Sequence, residues 1–233
     1  MAQKINPISQ KLGLIQVWQN TIQNYGKLSI NYFFILHRQL QISKFLVQVF
    51  DSNFFLLAGK ELFYKQNTFF YTIYYSTLLN TKFDYVFLLT NFIKTVKGYL
   101  GDNLYIRFYL KLNWYSTTYL LTKYFQYLLK QNTSTAKTLW LICQFLEKNL
   151  NSTKILYLKN GPTKVILKGF KIKFGGRFIN SRNQMAKNIE QNVGHSPLIN
   201  LISHVEFLST EIFTKLGTCG LRIWLFYEID KLQ

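Results

Sequence analysis

The chain has 233 residues, 48% of them hydrophobic, and 28 Lys and Arg against 10 Asp and Glu give a formal net charge of +18. That length allows one large or two small domains, each with its own core, and that charge attracts polyanions, so nucleic acid is the first partner to consider and an anionic membrane the second. The two cysteines, Cys143 and Cys219, are far apart with no C-x-x-C spacing, which excludes a disulfide framework and a structural zinc site.

In chain order, residues 1–29 read as a basic tail, polar and without periodicity, closing on Trp18 and Gly26. Its opening, "MAQKINPISQKLGLIQVW", has neither an apolar signal core nor an Arg- and Ser-rich presequence. This predicts either use in the compartment of synthesis or an address that lies elsewhere. From Ile30 to about Asp51, Phe33, Leu36, Leu40 and Phe45 recur at helical spacing. "TFFYTIYYSTLL" is β-branched and aromatic, a strand by propensity. Its apolar core, Phe69 to Leu79, is shorter than the roughly 20 residues that cross a bilayer, so no membrane insertion is expected. "DYVFLLTNFIKTVKGYLG" returns to helical spacing with Gly98 and Gly101 as stop signals, and "NLYIRFYLKL" alternates as a strand. Residues 30–130 thus read as an α+β module.

The polar run "KQNTSTAK", Lys130 to Lys137, reads as a linker. "KTLWLICQFLEKNL" is an amphipathic helix capped by Thr133, Ser134 or Thr135. A turn at Asn160-Gly161-Pro162 leads to the strand "KGFKIKFGGRF", with Phe170, Ile172 and Phe174 inward and Lys171 and Lys173 outward. Gly175 and Gly176 are read as letting the backbone approach a phosphate. A helix is expected around Asn180 to Gln191, capped by Asn180 or Ser181. Two extended segments follow, "LISHVEFLSTEIFT" and "LRIWLFYE", joined by a hairpin turn at Gly217 and Gly220. In the last, Leu221, Ile223, Leu225 and Tyr227 share one face and Arg222, Trp224 and Phe226 the other.

No catalytic residue, metal site or cofactor is expected. The three histidines, His37, His195 and His204, belong to no H-E-x-x-H, G-x-S-x-G or P-loop pattern. "KGYLGD" contains a G-x-x-G, but a strand follows at once where a nucleic-acid clamp needs a helix. The charge distribution is more informative. Between Glu147 and Glu190 lie ten basic residues and no acid: Lys148, Lys154, Lys159, Lys164, Lys168, Lys171, Lys173, Arg177, Arg182 and Lys187. A solvated face mixes signs, so this run predicts an external anion. With Lys4 and Lys11 in the tail and Arg222 on the last strand, these are the candidate RNA-binding residues. Lysine is a point charge, which favours backbone contact over base reading.

The stretches "QKINPISQKLGLIQVW", "ICQFLEKN", "KGFKIKFGGRF" and "STEIFTKLGTCGLRIWLF" stand in the order found in the ribosomal protein family called small-subunit three. The resemblance covers nearly all of residues 1–30 and 138–233 and is one of pattern alone in between. Phe, Tyr, Asn and Lys, whose codons are A/T-rich, are abundant, while Ala occurs four times and Arg five. With the missing presequence, this resembles an organelle-encoded, mitochondrial member. The resemblance implies an α+β fold: a degenerate type II KH domain over 30–130, then a C-terminal α+β domain with a small antiparallel sheet over 138–233. It implies a structural constituent of the mitochondrial small ribosomal subunit in the matrix, binding ribosomal RNA in the head and lining the mRNA entry channel. Its partners would be ribosomal RNA, mRNA and neighbouring head proteins. A free-standing KH-type RNA-processing or intron-maturation factor is the alternative.

The resemblance also implies that Asn151 to Leu167 is helical, against the turn and strand that its residues suggest. The two glycines of the family's KH loop fall at Asn80 and Phe83, with Thr81 and Lys82 between, so the clamp is expected to be lost. The basic trio of the family's channel-lining helix falls at Thr153, Lys154 and Tyr157. With Lys148 and Asn151, a helix would put Lys154 on one face toward mRNA.

Overall fold

The computed structural model describes residues 5–22, 26, 29–53, 55–65, 68–77, 85–100, 104–111, 113, 117–131, 134–178, 185–214 and 216–230. In chain order the elements are α1 (Pro7–Lys11), β1 (Asn20–Ile22), α2 (Ser29–Ser52), β2 (Phe55–Lys65), β3 (Thr68–Thr77), α3 (Tyr85–Leu100), β4 (Leu104–Leu110), α4 (Thr118–Lys130), α5 (Thr135–Lys148), β5 (Thr153–Leu158), β6 (Gly161–Gly176), β7 (Lys187–Gly194), β8 (His204–Thr214) and β9 (Gly217–Ile229). Mixed helices and sheets make the chain α+β, as expected. It divides into two compact units, Gln19–Leu112 and Met1–Trp18 with Asn113–Gln233.

The first unit is a four-stranded sheet in the order β1-β2-β3-β4. β2 and β3 form an antiparallel hairpin, whereas β4 runs parallel to β3 through the crossover helix α3. Phe69, Tyr71 and Ile73 of β3 alternate inward and pack with Leu62 and Leu104 against Ile42, Leu46 and Phe50 of α2 and Phe92 and Val96 of α3. The helix over 30–51 is where periodicity predicts it, but its buried face is not. Ile35, Ile42, Leu46 and Phe50 are buried, while Phe33 and Leu40 are exposed. An aromatic-rich helix carries apolar residues all round, and only the sheet it meets selects the stripe. The loop Asn80–Phe83 lies outside the described residues.

In the second unit α4 and α5 cover one face of a wholly antiparallel sheet, β5-β6-β9-β8. β7 pairs with the distal half of the long β6, on the edge that β5 takes along its proximal half. Leu121, Phe125, Ile142 and Leu146 meet Phe170, Ile172, Phe174, Leu221, Ile223 and Leu225 in one core. This is the inward set read from alternation in β6 and β9.

Three expectations are corrected and a fourth is supplemented. The run 130–137 is no linker between domains: Gln131 caps α4, Ser134 caps α5, and α4 buries Leu120, Leu121 and Phe125 beside α5. By compactness the chain divides after Trp18 and again after Leu112. The helix implied for Asn151 to Leu167 is the β5–β6 hairpin. Asn151 and Gly161 adopt φ of 63° and 105°, which break a helix, and Asn151 N–H donates to Leu167 O at 2.8 Å. The helix around Asn180 to Gln191 is replaced over 187–191 by β7, because Asn188 to Val193 complete the open edge of β6; residues 180–184, with Arg182 and both candidate caps, lie outside the described residues. The double glycine has a packing role besides the phosphate approach read from the sequence. A Cβ at Gly176 would collide with Cys219 Sγ, and one at Gly175 would come within 2.5 Å of Asn188 Oδ1.

Candidate nucleic-acid interface

The face of the second sheet turned away from α4 and α5 collects the residues with the chemistry to hold RNA. Residues directly opposite one another in a ladder point to the same side. The register therefore sets Lys173 beside Arg222 and Ser209, and Lys171 beside Trp224 and Phe207. The rings of Phe207 and Trp224 lie 5.0 Å apart at 34°, and Lys171 Nζ sits 5.9 Å from the centre of Trp224. The result is three cations around an aromatic pair, which can take phosphates and a stacked base or sugar.

The lysine row is not free of acid. Glu190 of β7 faces Lys173 in the ladder and accepts from it, with Lys171 Nζ at 3.3 Å. Hydrogen bonds from Lys173 and then Lys171 hold its carboxyl below the usual range. Glu190 shares two of the three cations and holds both lysines upright, and Glu211, opposite Gly220 one row beyond Arg222, lies exposed on the same face. The next row, Gly169, Phe226 and Val205, is closed: Phe226 and Val205 are buried, and a Cβ at Gly169 would stand 2.5 Å from the His195 carbonyl oxygen. The chain between β7 and β8 crosses there, and only glycine admits it.

The other candidate residues divide into four groups. Lys148 at the end of α5 and Lys187 at the start of β7 are exposed. Lys159 is exposed and donates to Gly13 O at 3.1 Å, Lys164 lies 3.9 Å from Asp230, Lys168 donates to Asn151 Oδ1 at 3.4 Å, and Arg177 is half-buried. Lys4, like Arg182, is outside the described residues.

Lys11 and Lys154 are corrected, since neither points at solvent. Lys11 is fully buried and its Nζ donates to Ser203 O and Ser203 Oγ, both at 2.8 Å. Burial lowers its pKa to about 8. Gln16, five residues on, donates to Val205 O at 2.7 Å, so residues expected to be a tail are fastened to β8. Lys154 pairs with Glu206 at 2.5 Å, 3.8 Å above the Tyr227 ring. Glu206 also accepts from Thr118 N–H, at 3.4 Å, at the start of α4. Lys154 is thus a strut between sheet and helix, and the hairpin turns it away from the face that a helix would share with Lys148. Phe207 is the functional candidate that sequence reading misses, although the alternation of "HVEFLSTEI" could have revealed it.

Cys143 and Cys219 are both buried and unpaired. No group of metal-ligating side chains occurs among the described residues, and none of their helices is long and apolar enough to cross a membrane.

No family model matches the chain. It is 41% identical, over 235 aligned positions, to the small ribosomal subunit protein uS3m of Chondrus crispus, an alignment that spans 99% of this chain and 96% of that protein. Likeness at this level along the full length of both chains carries the four quoted stretches and the intervening module together, and the chain belongs to the uS3m family of mitochondrial small-subunit ribosomal proteins.

Proposed function

We propose that the chain is a structural, non-catalytic constituent of the mitochondrial small ribosomal subunit, and that it holds ribosomal RNA of the head against the face of Lys171, Lys173, Arg222, Trp224 and Phe207. The full-length likeness to a small ribosomal subunit protein carries the first part, and the clustering of cations around the aromatic pair supports the second. Lys148, Lys159, Lys164, Lys168, Arg177 and Lys187 extend the contact through phosphates, the sequence-independent part of such binding. Lys4 and Arg182 join them by charge.

The unit Gln19–Leu112 is a type II KH domain that has lost its clamp. The order α2-β2-β3-α3-β4 with β3 and β4 parallel supports the fold, and the exchange of both loop glycines for Asn80 and Phe83 supports the loss. The mRNA entry channel would be lined from the end of α5 by Lys148. With Lys154 committed to Glu206, that grip is weaker than three cations would give. Sedimentation tests the whole reading: the chain should migrate stoichiometrically with mitochondrial small subunits. A chain found only in lighter fractions would overturn it.

A further inference from the structure

The sheet of the first unit has a second face that α2 and α3 do not touch, and its composition is unusual. β3 and β4 point Phe70, Thr72 and Tyr74 and, beside them, Tyr105, Arg107 and Tyr109 outward. Phe70 stacks on Tyr105 with ring centres 5.2 Å apart and planes within 11°. Tyr74 stacks on Tyr109 at 5.7 Å and 26°. Lys111 Nζ lies 4.5 Å over Tyr74. Phe63 of β2, opposite Phe70, lies in the same row. Tyr105 and Tyr109 are 58% and 47% exposed on β4, the edge strand of the order β1-β2-β3-β4. Each aromatic row therefore ends on an accessible ring, with Arg107 between the two ends.

We infer that this face is a second nucleic-acid site, a stacking platform for single-stranded RNA in which Tyr105 and Tyr109 each take a base and Arg107 takes the phosphate between them. At the ordinary strand rise the two tyrosines are about 13 Å apart, which a splayed strand spans. The interleaving of cations with rings selects the occupant. The core of a protein-docking face is depleted of charge, whereas here Arg107 and Lys111 lie among the aromatics. A second copy of the chain would bring another +18 against this one. A duplex keeps its bases inside and offers nothing to stack. Among the described residues one carboxylate shares the face: Glu61, opposite Thr72 on β2, takes a hydrogen bond from Tyr74 and lies beside Lys111. It orients the inner row and leaves the outer edge to Arg107.

The test uses the full chain with a short oligouridylate and, separately, a blunt RNA duplex, titrated at several salt concentrations. The exposed rings can be removed without opening the core. Tyr105→Ala/Tyr109→Ala should weaken oligouridylate binding at least about fivefold per ring with an unchanged salt slope, and should leave duplex affinity alone. Tyr105→Phe/Tyr109→Phe, which keeps the stack, should bind as the parent does. Arg107→Ala should lower the single-strand slope by roughly 0.7. Unchanged oligouridylate affinity in the double alanine variant, or an equal loss on duplex, overturns the site. So does an intact oligouridylate affinity with loss of the chain from small subunits, which would make the face a protein contact. Lys171→Ala/Lys173→Ala/Arg222→Ala on the other sheet serves as the independent arm: its failure to alter RNA binding would sink the ribosomal-RNA face and leave the tyrosine result standing.

Discussion

Replacing Lys154 by Met separates a strut from a phosphate contact. The ammonium is 2.5 Å from Glu206 and 3.8 Å over Tyr227, with both charged side chains less than one-fifth exposed. Removing one partner of a fully buried pair costs about 3–5 kcal/mol because the other charge is stranded. Here residual solvent and the Thr118 N–H at the α4 N-terminus still support Glu206, and Met keeps the apolar stem over the ring. The lost cation–π contact adds about 0.5–2 kcal/mol. A net loss of roughly 2–3 kcal/mol follows. Lys154→Met/Glu206→Gln should regain about half, since no carboxylate is then stranded. The chain has two units, so one melting curve is not a two-state measurement. Native-state amide exchange over α4, β5 and β8 reports the local opening free energy instead. RNA affinity and its salt slope should not move. Unchanged exchange together with a slope lowered by roughly 0.7–0.9 would refute the strut and restore Lys154 as a phosphate ligand.

Removal of Lys171, Lys173 and Arg222 together should lower the log–log salt slope for ribosomal RNA by roughly 2, short of three full contacts because Glu190 already shares two of the lysines; filter binding at graded salt reads it. Gly169→Ala should destabilise the second unit more than Gly176→Ala, because its Cβ would strike the His195 and Val193 backbone while Cys219 can be trimmed. About 1–3 kcal/mol is expected for Gly176→Ala, largely recovered by Cys219→Ala, as denaturant midpoints would reveal. Burial lowers His204 to about 4, so the unfolded chain takes up its proton first as pH falls. Stability should be fully held above about 6.5 and fall between there and 4, by up to about 3 kcal/mol, and His204→Gln should flatten that segment of a pH–stability profile. Lys148→Ala should leave subunit assembly intact and slow translation through structured mRNA; an assembly defect would assign Lys148 to ribosomal RNA instead.

Composition alone determined the class of partner, since +18 on 233 residues has few outlets besides a polyanion. Short-range pattern determined most elements: helical spacing located α2, α3 and α5, propensity located β3, alternation located β4, β6 and β9 with the correct inward set in β6 and β9, and β8 was read as extended. Signals of that kind are local, held within a few residues, and survive without knowledge of the fold. The sequence reading names neither β2 nor α4. It also mistakes β7 for a helix, because an Asn- and Gln-rich segment has no strand pattern of its own and becomes one only beside the open edge of β6. The tertiary structure alone decided which lysines are engaged inside the protein and which stand on an open face. Lys154 and Lys171 look alike in the chain, both on alternating strands in an acid-free run. One points into the gap under α4 where Glu206 awaits it, and the other stands on the open face. Lys11 looks like part of a basic tail and is the buried pin of α1 on Ser203. A charge run records how many cations a segment carries. The side from which an acid, a helix or solvent approaches each one is set by strand register and by partners far away in sequence, 192 residues away for Lys11.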